Sequence, residues 1–182
     1  ENIRRVRTAG LDVSVIAVLS TPTVGDDERL DRFVGWASAL GPSLGVWNMR
    51  FNPLYQDPPV VQLTAERLAE VWVGLAKVAA QDARRRWYPF GEFLGNLLGK
   101  AGSPCWTSGC DPYHTDAVDA VFGDGSRGNC LRTATRDGIA YLRDTESHPV
   151  RDHVLRAIPM EDGGCRGCRY WAICRGGCPA EA

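Results

Sequence analysis

Apolar positions along the first 83 residues alternate between helical and strand periods. Residues 1–9 are charged, with Ile3 and Val6 on one side, and read as a helix for which Gly10 fits the C-cap. Residues 11–19 form a mostly apolar run rich in Val and Ile, bounded by Gly10 and Ser20-Thr21-Pro22, which predicts a strand buried on both faces. A helix is predicted from Asp27, with Leu30, Phe33, Val34, Ala37 and Leu40 spaced by three and four. Asp26, Asp27 and Glu28 suit its positive N-terminus, and Gly41 suits its end. Residues 45–52 read as a second strand. Thr64 then caps a long helix whose stripe is Leu68, Val71, Trp72, Leu75, Val78 and Ala79. This order follows βαβ logic and predicts a parallel sheet with helices packed outside. Two strands do not make a stable parallel sheet alone, so further strands are expected upstream of Glu1.

Past Phe90 the texture changes, and Gly, Pro and Cys become frequent. Residues 92–100 read as a short helix. Residues 118–122 and 129–133 read as short strands around Asp124-Gly125, a strong hairpin signal, with a second turn at Asp137-Gly138. Residues 151–158 read as a short helix, and the chain is loop-like from Gly163. The expected organisation is an α/β portion over 1–83, a linker with a short helix over 84–104, and a cysteine-rich portion over 105–182.

Composition adds limits rather than identity. The 182 residues are 44% hydrophobic and 24% charged, with a net charge of −1, which suits a globular chain and does not point to nucleic acid. The longest basic run, Arg84-Arg85-Arg86, reads as a solvated helix end. No apolar stretch is long enough to suggest a membrane span. The chain opens within a predicted helix, without an initiator Met, and closes four residues after a cysteine, so both ends are expected to continue in a longer polypeptide.

All seven cysteines fall in the last 78 positions. An odd, crowded set differs from the even framework of a secreted disulfide domain and points to metal in a reducing, cytoplasmic setting. Cys165, Cys168, Cys174 and Cys178 are spaced C-x2-C-x5-C-x3-C, with Gly164, Gly167, Gly176 and Gly177 among them. Closely set thiolates can reach one centre from a tight turn, and glycines let the backbone approach it. Upstream, Cys105, Cys110, Gly125 and Cys130 give C-x4-C-x14-G-x4-C, and the hairpin would fold Cys130 back towards Cys105 and Cys110. Spacing alone leaves three options open: iron–sulfur, a zinc site, and disulfides or free thiols. A zinc ribbon usually carries two CxxC pairs, and the second pair is lacking here.

The tail CRGCRYWAICRGGCP (165–179), with Cys110, Gly125 and Cys130 ahead of it, resembles the SPASM domain of radical S-adenosylmethionine (SAM) enzymes. Cys105 matches an additional ligand just upstream in that family, so every cysteine present finds a place. The resemblance implies two auxiliary 4Fe–4S clusters. One would take Cys105, Cys110, Cys130 and the crossing-over Cys178; the other would take Cys165, Cys168 and Cys174, with a further Cys expected beyond Ala182. Residues 2–10 and 11–19 look like the fourth helix and fifth strand of the partial (β/α) barrel of these enzymes, and 46–53 look like its sixth strand. The SAM-cleaving motif CxxxCxxC is not among these residues and is expected upstream. The resemblance further implies SAM and a third 4Fe–4S cluster in the full-length protein, and hydrogen abstraction from a peptide or protein substrate. It also implies a ferredoxin or flavodoxin as electron donor. Sulfatase-maturing members place Asp directly after the cysteine equivalent to Cys130; here Leu131 stands there, which favours another peptide-modifying branch.

The other candidates are blander. Asp124 and Asp137 read as turn residues. His114, His148 and His153 show no mutual spacing that suggests a site, although His114 lies near Cys110. Trp106, Tyr170 and Trp171 flank cysteines and read as shields against water. Tyr88 and Phe90 read as packing residues. Ser20 and Asn52 end the two predicted strands, the edge where open α/β sheets bind ligands, and are candidates to contact SAM. The competing readings are a ferredoxin-like electron-transfer module and a zinc-stabilised interaction domain.

Overall fold

The computed structural model describes residues 1–54, 60–100, 110–111, 114, 120–121, 123–125, 127–128 and 149–178. The chain divides into two compact units, Glu1–Gly91 and Glu92–Ala182.

The first unit is mixed α/β. Its elements run α1 (Asn2–Thr8), β1 (Ser14–Leu19), α2 (Thr21–Val24), α3 (Asp27–Leu44), β2 (Asn48–Pro53), α4 (Ala65–Ala79) and β3 (Arg86–Tyr88), after which α5 (Phe90–Leu97) begins. The strands form one sheet in the order β1-β2-β3. Both pairings are parallel: Ser14 lies opposite Asn48, and Asn48 opposite Arg86.

Local chemistry accounts for the element ends. The Asp26 carboxylate accepts the Arg29 N–H at 2.8 Å and caps α3. The Thr64 hydroxyl accepts the Arg67 N–H at 3.2 Å and caps α4. Helix α3 runs past Gly41, where the sequence suggested it would stop. Gly41 is needed for packing, because a Cβ there would meet the Trp47 ring at 2.5 Å. The turn is made at Gly45 instead, at φ 70°, with its N–H donated to the Gly41 carbonyl at 2.8 Å.

Leu19, Phe51, Met49, Val46 and Trp87 pack on one side of the sheet with Val24, Ala37, Leu40, Val71 and Leu75. Phe51 is fully buried between the rings of Phe33 and Trp87, at 5.9 and 5.2 Å. The expectation that β1 is buried on both faces is corrected. Ala17 and Leu19 are buried, but Ile16 is 65% and Val18 45% exposed. Both buried and exposed positions on β1 are apolar, so its composition hid a period-2 pattern.

The basic run is corrected as well. Arg86 opens β3 and donates its N–H to the Trp47 carbonyl at 2.9 Å. Arg84 stacks on Trp47 at 4.1 Å, and Arg85 reaches the Val78 carbonyl at 2.6 Å. A third strand therefore follows α4, where none was expected.

The second unit holds a two-stranded antiparallel ladder, β4 (Ala120–Val121) with β5 (Arg127–Gly128), around a turn in which Gly125 takes φ 84°. The predicted hairpin is present, and its return strand begins two residues earlier than expected. Residues 129–133 and the turn at Asp137-Gly138 lie outside the described residues. Helix α6 (Arg151–Ala157), a 3-10 turn (Met160–Asp162) and α7 (Trp171–Cys174) complete the unit.

Candidate metal centre

The cysteine loops are built on α6. Past its C-terminus the chain reverses at Gly163, φ 82°, and returns along the helix end. Three backbone bonds hold the return: Gly164 N–H to Pro159 O at 2.8 Å, Cys165 N–H to Leu155 O at 2.7 Å, and Arg166 N–H to Ile158 O at 2.9 Å. Gly164 has no room for a side chain, since a Cβ would lie 2.1 Å from the Ile158 carbonyl oxygen. A tight turn follows, with Gly167 at φ 81° and the Cys168 N–H donated to the Cys165 carbonyl at 3.1 Å.

Helix α7 ends at Cys174. Arg175, Gly176 and Gly177 then adopt positive φ in succession, at 46°, 82° and 60°. The Gly177 N–H donates to the Cys174 carbonyl at 2.9 Å, and a Cβ at Gly177 would lie 3.8 Å from the Cys174 sulfur. The Asn96 amide donates to the Ile173 carbonyl at 3.1 Å, tying α7 to α5.

Cys165, Cys168 and Cys174 carry free thiols. Burial raises the Cys165 pKa, the neighbouring Cys168 and Cys174 raise it further, and the Arg151 guanidinium works against them. Cys168 and Cys174 are thus near enough to act on Cys165. Among the described residues, no group of three or more His, Cys, Asp or Glu side chains is placed to hold a single metal ion. Cysteine thiols are the donor type that iron–sulfur groups use.

Cys110 is brought to the same region by Arg151. One guanidinium nitrogen, Nη1, donates to the Cys110 carbonyl at 3.2 Å and the Gly177 carbonyl at 3.1 Å, while Nη2 donates to Gly176 O at 2.7 Å. The backbone N–H of Arg151 donates to Asp111 Oδ2 at 2.8 Å. The other carboxylate oxygen accepts the His114 N–H at 3.3 Å and lies 3.1 Å from His114 Nδ1. Asp111 is only 7% exposed. The segment carrying Cys110 thus meets the residue preceding Cys178. Cys105, Cys130, Trp106, Leu131, Asp137 and His148 lie outside the described residues.

The readings of Asp124 as a turn residue and Phe90 as a packing residue hold, and that of Tyr170 changes. Tyr170 is 55% exposed and pairs with Arg169, so it does not bury the cysteines. Trp171 is half-buried, with Arg156 at 6.0 Å from its ring. His114 binds Asp111, and His153 is exposed. Asp124 sits exposed in the hairpin turn. In the first unit, Phe90 packs edge-on to Trp72 at 5.7 Å, and Tyr88 receives Arg50 at 4.4 Å. Ser20 is buried and engages Thr23 in the cap of α2, while Asn52 accepts a hydrogen bond from Arg50 Nε at 3.0 Å.

Arg151 and Asp111 were not singled out by sequence reasoning. Asp111 accepts a backbone N–H 40 positions away, a contact any non-proline residue could make, so linear spacing gives no signal for it. No family model, curated protein or solved structure matches this chain.

Proposed function

We propose that this chain is the auxiliary-cluster part of a radical SAM enzyme that modifies a peptide or protein by hydrogen abstraction. The observation that carries the reading is the grouping of its cysteines. Cys168 and Cys174 both bear on Cys165, while Arg151 joins the carbonyl of Cys110 to that of Gly177, the residue next to Cys178. The partition the SPASM resemblance implies, with Cys178 crossing over to the Cys110 group and Cys105 and Cys130 completing it, is part of this proposal. When bound, such clusters supply electron relay or help form a substrate site.

The protein's own part is to present thiolates, to approach the centre with bare glycine backbone at Gly176 and Gly177, and to set the surrounding charge through Arg151. The parallel order β1-β2-β3, with helices on one face, supports reading Glu1–Gly91 as part of a larger (β/α) barrel. Ile16 and Val18 on the uncovered face, together with Arg50, Asn52 and Tyr88, would then face its interior, where SAM and substrate bind. A ferredoxin or flavodoxin would deliver the electrons.

Anaerobic reconstitution with iron and sulfide tests the reading. The expected result is bound iron with matching inorganic sulfide, at about four irons per cluster, and visible charge-transfer absorbance. Bound zinc without sulfide would overturn it. In the full-length protein, SAM and a reductant should yield 5′-deoxyadenosine; residues 1–182 alone, which contain no CxxxCxxC, should yield none.

A further inference from the structure

Cys110 and Cys178 are 68 positions apart, and closing so long a loop opposes their meeting at one centre. A contact that holds their backbones together lowers the cost of bringing both to one centre. Arg151 is placed to do this. Its side chain donates to the carbonyls of Cys110, Gly176 and Gly177, and its backbone N–H is held by the buried carboxylate next to Cys110. Both segments are fitted around it. A Cβ at Gly176 would lie 3.2 and 3.4 Å from the two guanidinium nitrogens and 2.3 Å from Leu155 Cδ1, and Gly176 is at φ 82°.

Resting on the iron–sulfur reading above, we propose that Arg151, seated by Asp111, is the positioning residue that holds Cys110 and Cys178 as ligands of one cluster. The chemistry calls for arginine. A planar guanidinium offers donors in a fixed fork and can serve several carbonyls from one plane. An ammonium at the end of a lysine keeps the charge but concentrates its donors at one point and lacks the span of the fork. The buried Asp111 carboxylate fixes the start of α6, so the guanidinium projects from a set origin.

The experiment compares wild-type chain with Arg151→Lys, Arg151→Gln, Cys110→Ala, Cys165→Ala and the double variant Arg151→Gln/Cys110→Ala. Each is reconstituted anaerobically with ferrous iron and sulfide. Iron and sulfide content and the electron paramagnetic resonance spectrum of the reduced protein are read out. Both Arg151 variants should lose about four irons, one cluster's worth. Their residual spectrum should match that of Cys110→Ala and differ from that of Cys165→Ala. The double variant should lose no more than either single change, because both remove the same cluster.

Arg151→Lys keeps the charge and most of the stem, so its selective loss separates positioning from general folding. Arg151→Lys loading like wild type with an unchanged spectrum would overturn the proposal. So would loss of both clusters in that variant. These outcomes leave the iron–sulfur reading intact, whereas a wild-type chain that takes up no iron and sulfide fails that reading and this proposal together.

Discussion

Gly164 offers the sharpest test of how the cysteine loop is held. A Cβ added there would stand 2.1 Å from the Ile158 carbonyl oxygen and 2.5 Å from that residue's carbonyl carbon and Cβ. Ordinary contact begins near 3.4 Å, so the returning segment would have to move by more than an ångström. Backbone atoms cannot rotate aside as a side-chain tip can. Overpacking of this kind costs about 1–3 kcal/mol. The movement also strains the Cys165 N–H bond to Leu155 and the Arg166 N–H bond to Ile158, at 2.7 and 2.9 Å. Each is worth about 0.5–1.5 kcal/mol. Alanine returns about 0.4–1 kcal/mol by restricting the unfolded chain. The net expectation for Gly164→Ala is a loss of about 2–3 kcal/mol. Urea unfolding measures the total, and amide hydrogen exchange at residues 164–166 localises it. Gly163→Ala is the control: that glycine has φ 82° but nothing within 4 Å of an added Cβ. Only the left-handed backbone penalises it, at about 1–2 kcal/mol. A Gly164→Ala chain as stable and as protected as wild type would refute the reasoning, as would a Gly163→Ala chain that loses more.

Gly35 lies inside α3 with nothing within 4 Å of an added Cβ, so Gly35→Ala should raise stability by about 1 kcal/mol in urea unfolding. Phe51→Ala should cost about 3–5 kcal/mol in the same assay, because the ring is fully buried between two other aromatics. Hydrogen bonds from Arg84 lower the Asp82 pKa from 3.8 to about 2. The preference of the charged carboxylate for the folded state is thus complete above the ordinary value and disappears as pH falls through about 2. Carboxyl NMR should record that midpoint, and Arg84→Ala should return it towards 3.8.

How far the fold could be read in advance depended on whether each signal was local. The α4 stripe, the Thr64 cap and the Asp124-Gly125 turn each sit within a few residues, and each appears where the pattern put it. The end of α3 was misjudged because two glycines competed. Gly41 is small for the sake of Trp47, a contact made outside the helix, while Gly45 provides the left-handed turn. Strand β3 was missed because it is three residues long and starts on an arginine run. Its evidence is a pairing with β2, and pairing is not written in any window of sequence. The two-faced apolar content of β1 suggested full burial, yet Ile16 and Val18 are exposed. Strand composition reports what a face could tolerate, and only the layers packed on it decide what is covered.

The candidate centre divides in the same way. Cysteine spacing and the glycines between them are local signals: Gly167, Gly176 and Gly177 take positive φ, while Gly164 instead makes a close approach to Ile158. The relation of the first cysteine group to the last is not local. It runs through Arg151 and Asp111, whose partners lie 25 to 41 positions away. A motif records side-chain types at fixed spacing, here the cysteine sulfurs. The atoms that bring distant ligands together need only be a donor fork meeting backbone carbonyls, and every residue has a carbonyl. Such a device leaves almost no trace in composition. It becomes visible only when one nitrogen is found between the carbonyls of Cys110 and Gly177. A residue that joins distant segments through backbone carbonyls is therefore the part that sequence patterns hide most completely.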